Sequence, residues 1–255
     1  MMPVVILCGG RGLRMDARPN ANPKPLVPIG GRPILWHIMK HFGHYGHTRF
    51  LLALGHRSER IKRYFIDSLW SSGDVTVDLT HGRVEAHHPR EPWQVTLVET
   101  GPDTPTGGRL LRLAPYLQPE ERFFLTYGDG VSDVNLDALL TYHQAQGTLA
   151  TVTGVRRAIP FGVMDVERGR AVRFSEKPEL DLLINGGYFV FEHGIFEYLE
   201  PDSALEEAPL QRLAAEGKLA VFEHNGFWAC MDTPKDAIWL NRLWKEGAPW
   251  KVWDP

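Results

Sequence analysis

Three glycines follow the first apolar run of the chain, in the segment VVILCGGRG between Val4 and Gly12. Because glycine lacks a Cβ, the backbone N–H groups of Gly9, Gly10 and Gly12 can turn inward around an anion. The spacing fits neither common phosphate motif, since the P-loop ends in Gly-Lys-Ser/Thr and the dinucleotide fingerprint would need glycine at Met15. The segment therefore predicts a phosphate-binding loop of another kind.

Cationic side chains accompany these glycines. Arg11 and Arg14 lie in the same loop, and Lys24 stands further along between Pro23 and Pro25. A guanidinium offers a planar fork of donors and an ammonium offers a point charge, so together they suit a triphosphate. The alternative is an ordinary glycine-rich surface turn with solvated cations, because short glycine motifs often occur by chance.

Two aspartates provide a second chemical signal. Asp129, in YGDG, follows the apolar run Arg122–Tyr127 and so lies at the carboxyl end of a predicted strand, where open α/β sheets bind their ligands. Asp232, in CMDT, follows another short run. Carboxylates, phosphate oxygens and water are the usual ligands of Mg²⁺ in phosphoryl-transfer sites, so the pair predicts a magnesium site. A single Asp-Gly is most often a turn, and the prediction depends on both aspartates together.

These residues need a scaffold that brings distant parts of the chain together. Short β-branched runs alternate with helical patterns, which predicts a Rossmann-like α/β fold with a mixed, mostly parallel sheet flanked by helices and a small β-rich insertion or lobe. No repeat or linker interrupts the chain, so we expect one domain over residues 1–255. The predicted elements include strands at Val4–Cys8, Arg49–Ala53, Arg122–Tyr127 and Leu219–Glu223, and helices at Pro33–Phe42 and Leu136–Gln146.

Composition narrows the class of partner. The net charge is −3 and the basic residues are scattered, so neither nucleic acid nor an anionic membrane surface is expected as a partner. The two cysteines, Cys8 and Cys230, are too few for a disulfide framework, which fits a reducing compartment. The chain has no basic leader and no apolar run of the ~18 residues that a membrane span needs, so we expect a soluble, cytoplasmic protein.

The order of the whole opening segment resembles the signature loop of the sugar-1-phosphate nucleotidylyltransferases. Gly-Gly-x-Gly is followed by Arg14 and then by PKPLVPIGGRPIL. Further segments are similar to the branch of glucose-1-phosphate cytidylyltransferases, and the similarity runs from Val4 to about Trp253. They are GRPILWHIMKHF, HHPREPWQVTLVETG, TGGRL, TYGDGVSD, INGGYFVFE and GFWACMDT.

The resemblance implies a reaction and the groups that perform it. A phosphate oxygen of α-D-glucose 1-phosphate attacks the α-phosphorus of CTP in line, pyrophosphate leaves and CDP-glucose forms, with Mg²⁺ as the cofactor. Charge neutralisation and positioning, rather than a covalent nucleophile, are required. By resemblance, the catalytic residues are Arg14 and Lys24, the nucleotide-binding residues are Leu7, Gly9, Gly10, Arg11, Gly12, Gly108, Arg109 and Asp129, the sugar-phosphate-binding residues are Glu176, Lys177, Asn185, Gly186 and Gly187, and the metal ligands are Asp129 and Asp232.

Base and sugar selectivity depend on a few hydrogen bonds that these motifs do not specify. The segment TGGRL, with Gly108 and Arg109, resembles the part of the family that faces the base. Leu13 stands where the family usually has threonine or serine, which removes a hydroxyl donor and leaves room for a shifted substrate. The alternatives are another sugar 1-phosphate, another nucleotide such as UTP or dTTP, or a nucleotide-sugar-binding protein without catalysis. Members of this branch are homo-oligomers, reported as hexamers, so the resemblance implies a homo-oligomer.

Overall fold

The computed structural model of this chain describes residues 1–12, 15, 22–68, 73–87, 91–158, 161–176 and 179–253, with only the backbone at 158 and 179–181. Strands and helices alternate through most of this length. The strands are β1 Val4–Cys8, β2 Pro28–Ile29, β3 Arg32–Pro33, β4 Arg49–Leu54, β5 Val75–Asp78, β6 Arg83–Ala86, β7 Gln94–Glu99, β8 Arg122–Tyr127, β9 Gly130–Ser132, β10 Ala150–Ala158, β11 Val163–Glu167, β12 Arg170–Ser175, β13 Glu179–Glu192, β14 Leu219–His224 and β15 Trp228–Cys230. The helices are α1 Ile34–His44, α2 Ser58–Ser68, α3 Thr106–Arg112, α4 Ala114–Leu117, α5 Leu136–Gln146, α6 Ala208–Ala215 and α7 Pro234–Lys245.

A central sheet of seven described strands has the order β14-β10-β13-β8-β1-β4-β7. Strand β13 runs antiparallel to both of its neighbours, and every other pair in the sheet is parallel. Two-stranded hairpins, β5 with β6 and β11 with β12, lie outside this sheet. The predicted mixed, mostly parallel sheet with flanking helices and a small β-rich lobe is confirmed.

Strand β1 lies in the middle of the sheet because its residues are apolar on both faces. All five residues are buried, and successive side chains point to opposite sides. Val4 packs into one core with Phe42 of α1 and Trp250, whereas Val5 packs into a second core with Leu110 of α3. The sheet is therefore covered by helices on both faces.

The parallel register brings three strand ends to one edge. Leu7 of β1 is paired with Tyr127 of β8, and Cys8 is paired with Leu54 of β4. A glycine follows each of these strands, at Gly9, Gly55 and Gly128. Because ligands of open α/β sheets bind beyond the carboxyl ends of the strands, this edge is where a site is expected.

Helix α1 buries two histidines against the core. His37 Nε2 donates to the Ile29 carbonyl at 2.8 Å, and Nδ1 accepts from the Trp250 indole at 3.4 Å. His41 Nε2 is 2.8 Å from the Val134 carbonyl. Burial lowers the pKa of both rings to about 4, so the neutral form is the one that this core accommodates.

A search of the described helices finds none whose length and apolar content would let it cross a lipid bilayer. On the hairpin of β11 and β12, Met164, Val166, Val172 and Phe174 are all more than half exposed.

Candidate active site

A cavity of about 530 Å³ opens at the carboxyl edge of β1 and β8. It contains most of the residues that the sequence predicted for the nucleotide, together with several that it did not predict. Its walls are Leu7, Cys8, Gly9, Gly10, Arg11, Gly12, Lys24, Pro25, Thr104, Pro105, Thr106, Arg109, Tyr127, Gly128 and Asp129.

The glycine loop forms one wall of this cavity. Gly12 has a φ of +60°, a left-handed conformation that glycine adopts without strain, and its carbonyl accepts from the Met15 amide at 2.9 Å. Arg11 reaches across the mouth, where its Nη2 lies 2.6 Å from Asp103 Oδ1. This ion pair is exposed, so an incoming polyanion can compete for the guanidinium with little loss of energy. Arg14 and Leu13 lie outside the described residues.

Lys24 lies between the two predicted metal ligands. Its ammonium nitrogen is 2.6 Å from Asp232 Oδ1 and 3.2 Å from Asp129 Oδ2. Burial alone would lower the pKa of Lys24, but the charges and hydrogen bonds of the two carboxylates outweigh that effect and raise it. The ammonium therefore stays charged and is held at one point at the floor of the cavity.

A short ribbon outside the main sheet brings the carboxylates together. Strand β9 begins one residue after Asp129 and pairs antiparallel with β15, which ends two residues before Asp232. The Met231 amide donates to the Asp129 carbonyl at 2.8 Å, which extends this pairing to the aspartates themselves. Asp232 is fixed in turn at the start of α7, where its amide donates to Asp236 Oδ2 at 3.0 Å.

The same ribbon supplies a sulfur atom. The ligand atoms of Asp129, Cys230 and Asp232 all lie within 4.8 Å of one another. Burial raises the pKa of the Cys230 thiol to about 12, and the charges of both aspartates add to this rise. Two convergent carboxylates that already hold a cationic group fit the requirements of a divalent ion.

Asn185, Gly186 and Gly187 form an irregular part of β13 beside the cavity, where the pairing with β10 is interrupted. Asn185 Oδ1 accepts from the Gly187 amide at 2.8 Å, and its Nδ2 donates to the Tyr127 hydroxyl at 3.4 Å. Gly187 has a φ of +78°, and a Cβ there would lie 2.6 Å from the Tyr127 ring. This segment therefore reaches the cavity through Tyr127.

Of the two other predicted sugar-phosphate residues, the structure describes Glu176, at the end of β12. Glu176 is exposed and follows this strand directly, next to Gly162. Lys177 lies outside the described residues.

Arg109 is placed differently from what its predicted role at the base would suggest. The side chain is 4% exposed, and its two terminal nitrogens donate to backbone carbonyls and one hydroxyl at 2.7 to 3.2 Å. The acceptors are the carbonyls of Gly9, Leu54, Gly101 and Pro102 and the Thr100 hydroxyl. The guanidinium thus ties together the ends of β1, β4 and β7, and a Cβ on Gly9 would lie 2.1 Å from it.

Gly108 lies in α3 and faces away from the cavity. A Cβ at this position would be 2.0 Å from the Pro201 carbonyl oxygen, so the missing side chain permits close packing on that loop. Thr106 and Arg109, from the same helix, are the members of TGGRL that reach the cavity wall.

A carboxylate that the sequence gave no reason to select joins the two sides of the cavity. Glu206 Oε1 accepts from the Tyr127 hydroxyl and Oε2 accepts from the Thr106 hydroxyl, both at 2.5 Å. Burial, followed by the charge of Glu206, raises the pKa of Tyr127. Because Tyr127 also contacts Asn185, the chain of hydrogen bonds runs from the predicted nucleotide side to the predicted sugar side.

No motif marks Glu206, since it lies on an irregular loop and is 100 positions from Thr106. Tyr127 could have been found from its place immediately before GDG, at the end of a buried strand.

Known proteins resemble this chain in sequence and in fold. Residues 3–239 match the family described as "Nucleotidyl transferase". A protein of Bacillus subtilis (strain 168) named "Probable glucose-1-phosphate cytidylyltransferase" is 47% identical over 255 residues, covering 99% of this chain and 100% of its own length. The "Glucose-1-phosphate cytidylyltransferase" of Salmonella typhi is 44% identical over 257 residues, with the same coverage.

The fold is shared with more distant proteins. The crystal structure of HddC from Yersinia pseudotuberculosis is 22% identical, has a TM-score of 0.68, and is matched over 96% of this chain and 100% of that one. At this identity the likeness concerns the fold alone. The full-length relatives and the family match over residues 3–239 lead to one conclusion: the chain belongs to the nucleotidyl transferase family.

Proposed function

We propose that this protein is a cytoplasmic, Mg²⁺-dependent glucose-1-phosphate cytidylyltransferase, which makes CDP-glucose and pyrophosphate from CTP and α-D-glucose 1-phosphate. The observation that carries the proposal is the position of Lys24 between Asp129 and Asp232, at the floor of a cavity walled by the glycine loop. The names of the two full-length relatives support the choice of cytosine and glucose.

The reaction joins two anions, so the protein must overcome their repulsion. An oxygen of the sugar phosphate attacks the α-phosphorus of CTP and forms a new P–O bond, while the bond to the β-phosphate breaks and pyrophosphate leaves. Gly10, Arg11 and Gly12 line the cavity, and their backbone amides are proposed to hold the triphosphate. The Lys24 ammonium supplies positive charge from below, and Arg14 is proposed to grip the phosphates from the loop.

Asp129 and Asp232 would hold a Mg²⁺ ion, which, when bound, neutralises phosphate charge and orients the triphosphate. A cation between these carboxylates would take over the place of the Lys24 ammonium, which would leave the lysine free to turn toward the phosphates. Binding energy is thus directed to the groups on which charge develops.

The sugar phosphate is proposed to bind beside β13. Lys177 would pair with its phosphate, and Asn185 to Gly187 would line the sugar with Glu176 as a partner for hydroxyl groups. Arg109 is proposed to shape the base side by holding the Gly9 and Pro102 carbonyls rather than by contacting the base. Residues 1–255 would form one nucleotidyltransferase domain within a homo-oligomer, for which the resemblance implies a hexamer.

The test measures pyrophosphate release with Mg²⁺ and α-D-glucose 1-phosphate, in parallel with CTP, UTP, dTTP, ATP and GTP and with a magnesium-free control. Release with CTP alone is the expected result, and it would show that Leu13 is tolerated in the phosphate loop. Release with a different nucleotide would reassign the base. No release with any of the five would contradict the proposed function and favour a binding protein or another sugar phosphate.

A further inference from the structure

The thiol of Cys230 lies where the catalytic cation is proposed to bind, although sulfur is a poor ligand for Mg²⁺. Mg²⁺ prefers oxygen ligands in octahedral geometry and keeps several waters. Thiolate ligands favour borderline and soft ions such as Zn²⁺, Co²⁺ and Cd²⁺. The centre therefore contains a donor that favours the wrong class of metal for its proposed reaction.

The backbone fixes this donor on the same side as Asp232. Strand β15 ends at Cys230, and the Met231 amide continues its pairing by donating to the Asp129 carbonyl at 2.8 Å. The alternation of side chains along a strand then puts Cys230 and Asp232 on one side and Met231 on the other. Met231 is fully buried, which locks that alternation in place. Cys230 is paired with Gly130, the residue directly after Asp129, so the sulfur also stays close to the second carboxylate.

The three donors have the separation that a small ion can use. Their ligand atoms lie within 4.8 Å of one another, and Zn²⁺ takes sulfur at about 2.3 Å and carboxylate oxygen at about 2.0–2.2 Å. An ion that binds all three donors therefore draws these atoms closer together. A cationic group already occupies part of this space, because Lys24 Nζ contacts both carboxylates at 2.6 and 3.2 Å.

The second cysteine offers no comparable site. Cys8 is 1% exposed and its side chain packs into the core beneath Gly128. In the part of the chain that the structure describes, Asp129, Cys230 and Asp232 form the one group of three metal-ligating side chains that converge in this way. The two cysteines therefore form a natural pair of test position and control.

We propose that Cys230, Asp129 and Asp232 form a binding site for a thiophilic divalent cation of the Zn²⁺, Co²⁺ and Cd²⁺ class. The ion displaces the Lys24 ammonium from the carboxylates, the thiol proton passes to solvent, and the sulfur binds as thiolate. The consequence for turnover rests on the proposed function: such an ion excludes Mg²⁺ and stops pyrophosphate release at concentrations far below those of Mg²⁺.

Binding is tested first with Co²⁺, whose bond to thiolate produces a charge-transfer absorption in the near ultraviolet. Metal-free protein, kept reduced by a phosphine, is titrated with Co²⁺ as wild type, Cys230→Ala and Cys8→Ala, each checked for folding by circular dichroism. The band is expected to saturate at one equivalent in wild type and Cys8→Ala and to be lost in Cys230→Ala. Absence of the band in folded wild type, or its persistence in Cys230→Ala, overturns the proposal.

A second measurement tests competition at the catalytic centre. Pyrophosphate release is followed with Mg²⁺, CTP and glucose 1-phosphate, with and without one equivalent of Cd²⁺, and each variant is compared only with itself. We expect Cd²⁺ to stop wild-type turnover reversibly on adding a chelator, and Cys230→Ala to be resistant. Unimpeded turnover with Cd²⁺ bound overturns the competition. If no nucleotide supports turnover, the proposed function fails, while the cobalt titration still decides the cation site.

Discussion

The Lys24 ammonium lies 2.6 Å from the Asp232 carboxylate although 208 positions separate the two residues in the chain. The ammonium therefore competes with any metal ion for this carboxylate. We expect Lys24→Met to bind Mn²⁺ roughly tenfold more tightly than wild type in the absence of nucleotide, because a fixed positive charge has been removed. Titration calorimetry measures this affinity, and the control is Lys40→Met on α1, which breaks the ion pair of Lys40 with Glu91. Unchanged Mn²⁺ affinity in Lys24→Met would contradict the competition.

Asp129 and Asp232 are each expected to be required for turnover with Mg²⁺. Asp129→Asn and Asp232→Asn each remove a negative charge from the proposed metal site, and kcat with Mg²⁺ should fall at least about 10²-fold. Circular dichroism should show an intact fold, since neither side chain belongs to the two hydrophobic cores. Asp165→Asn, on the exposed strand β11, serves as the control. Undiminished turnover in either aspartate variant would remove that residue from the metal site.

Glu206 should act on binding more than on the chemical step. Glu206→Ala removes the acceptor of both Thr106 and Tyr127, and two such hydrogen bonds together amount to roughly tenfold in affinity. We expect KM for CTP to rise by roughly that factor with a smaller change in kcat. Steady-state kinetics measures the split, and Glu207→Ala is the matched control on the same loop. A loss in kcat alone would mean that Glu206 acts in the transition state instead.

Arg109 is expected to determine stability as well as the shape of the base side. Arg109→Ala withdraws donors from four carbonyl groups at the ends of three strands, which should cost about 3 kcal/mol. For a chain of this size, that loss lowers Tm by roughly 6–12 °C. Arg109→Lys should recover little, because an ammonium cannot reproduce the guanidinium fork.

The control for this stability measurement is Arg173→Ala on the exposed strand β12, which should change stability by no more than about 0.5 kcal/mol. Differential scanning calorimetry compares the three variants with wild type. A Tm of Arg109→Ala equal to that of wild type would show that the carbonyls find other partners.

The stability of the fold should decrease as pH falls from about 6.5 to about 4, because the pKa values of His37 and His41 are lowered to about 4 in the folded state. Unfolded histidine binds protons near pH 6.5, so in this window the unfolded chain holds more protons and acid favours it. Each histidine contributes about 3 kcal/mol to the decrease. Burial lowers the pKa of His47 and His143 in the same direction.

Urea unfolding across this pH range measures the effect. His37→Asn retains a hydrogen-bonding side chain but cannot take up a proton, so its profile should be flatter than that of wild type. A wild-type free energy of unfolding that stays constant between pH 7 and pH 4 would contradict the assignment of neutral histidines to the core.

Local signals predicted much of the scaffold. The apolar run at Val4–Cys8 and the one at Arg122–Tyr127 form strands with the predicted bounds, and the helix predicted at Pro33–Phe42 begins one residue later and continues to His44. These elements are determined by residues close together in the chain. The antiparallel direction of β13 between β8 and β10 is not determined by nearby residues, because strand order depends on contacts between distant segments.

The candidate site likewise combines residues that a local motif predicts with residues that no local motif predicts. The glycine loop, Lys24 and Asp129 carry their chemistry in a local motif, and the structure brings them to one cavity. Glu206 has no such motif, because its importance arises only from hydroxyl groups 79 and 100 positions away. The burial of Arg109 is equally invisible in TGGRL, since its acceptors belong to three other strand ends.

The position of Trp250 and Asp232 so late in the chain has a consequence for how the protein is made. During synthesis, α1 emerges with His37 facing solvent, and the indole that covers it follows 213 positions later. Asp232, the second of the two carboxylates that contact Lys24, arrives in the same portion. The core around His37 and the contact between Lys24 and Asp232 are therefore completed at the same stage of synthesis. A chain that ends before this portion lacks both the indole that covers His37 and the carboxylate of Asp232, so we expect such a product to be cleaved by proteases faster than the full chain.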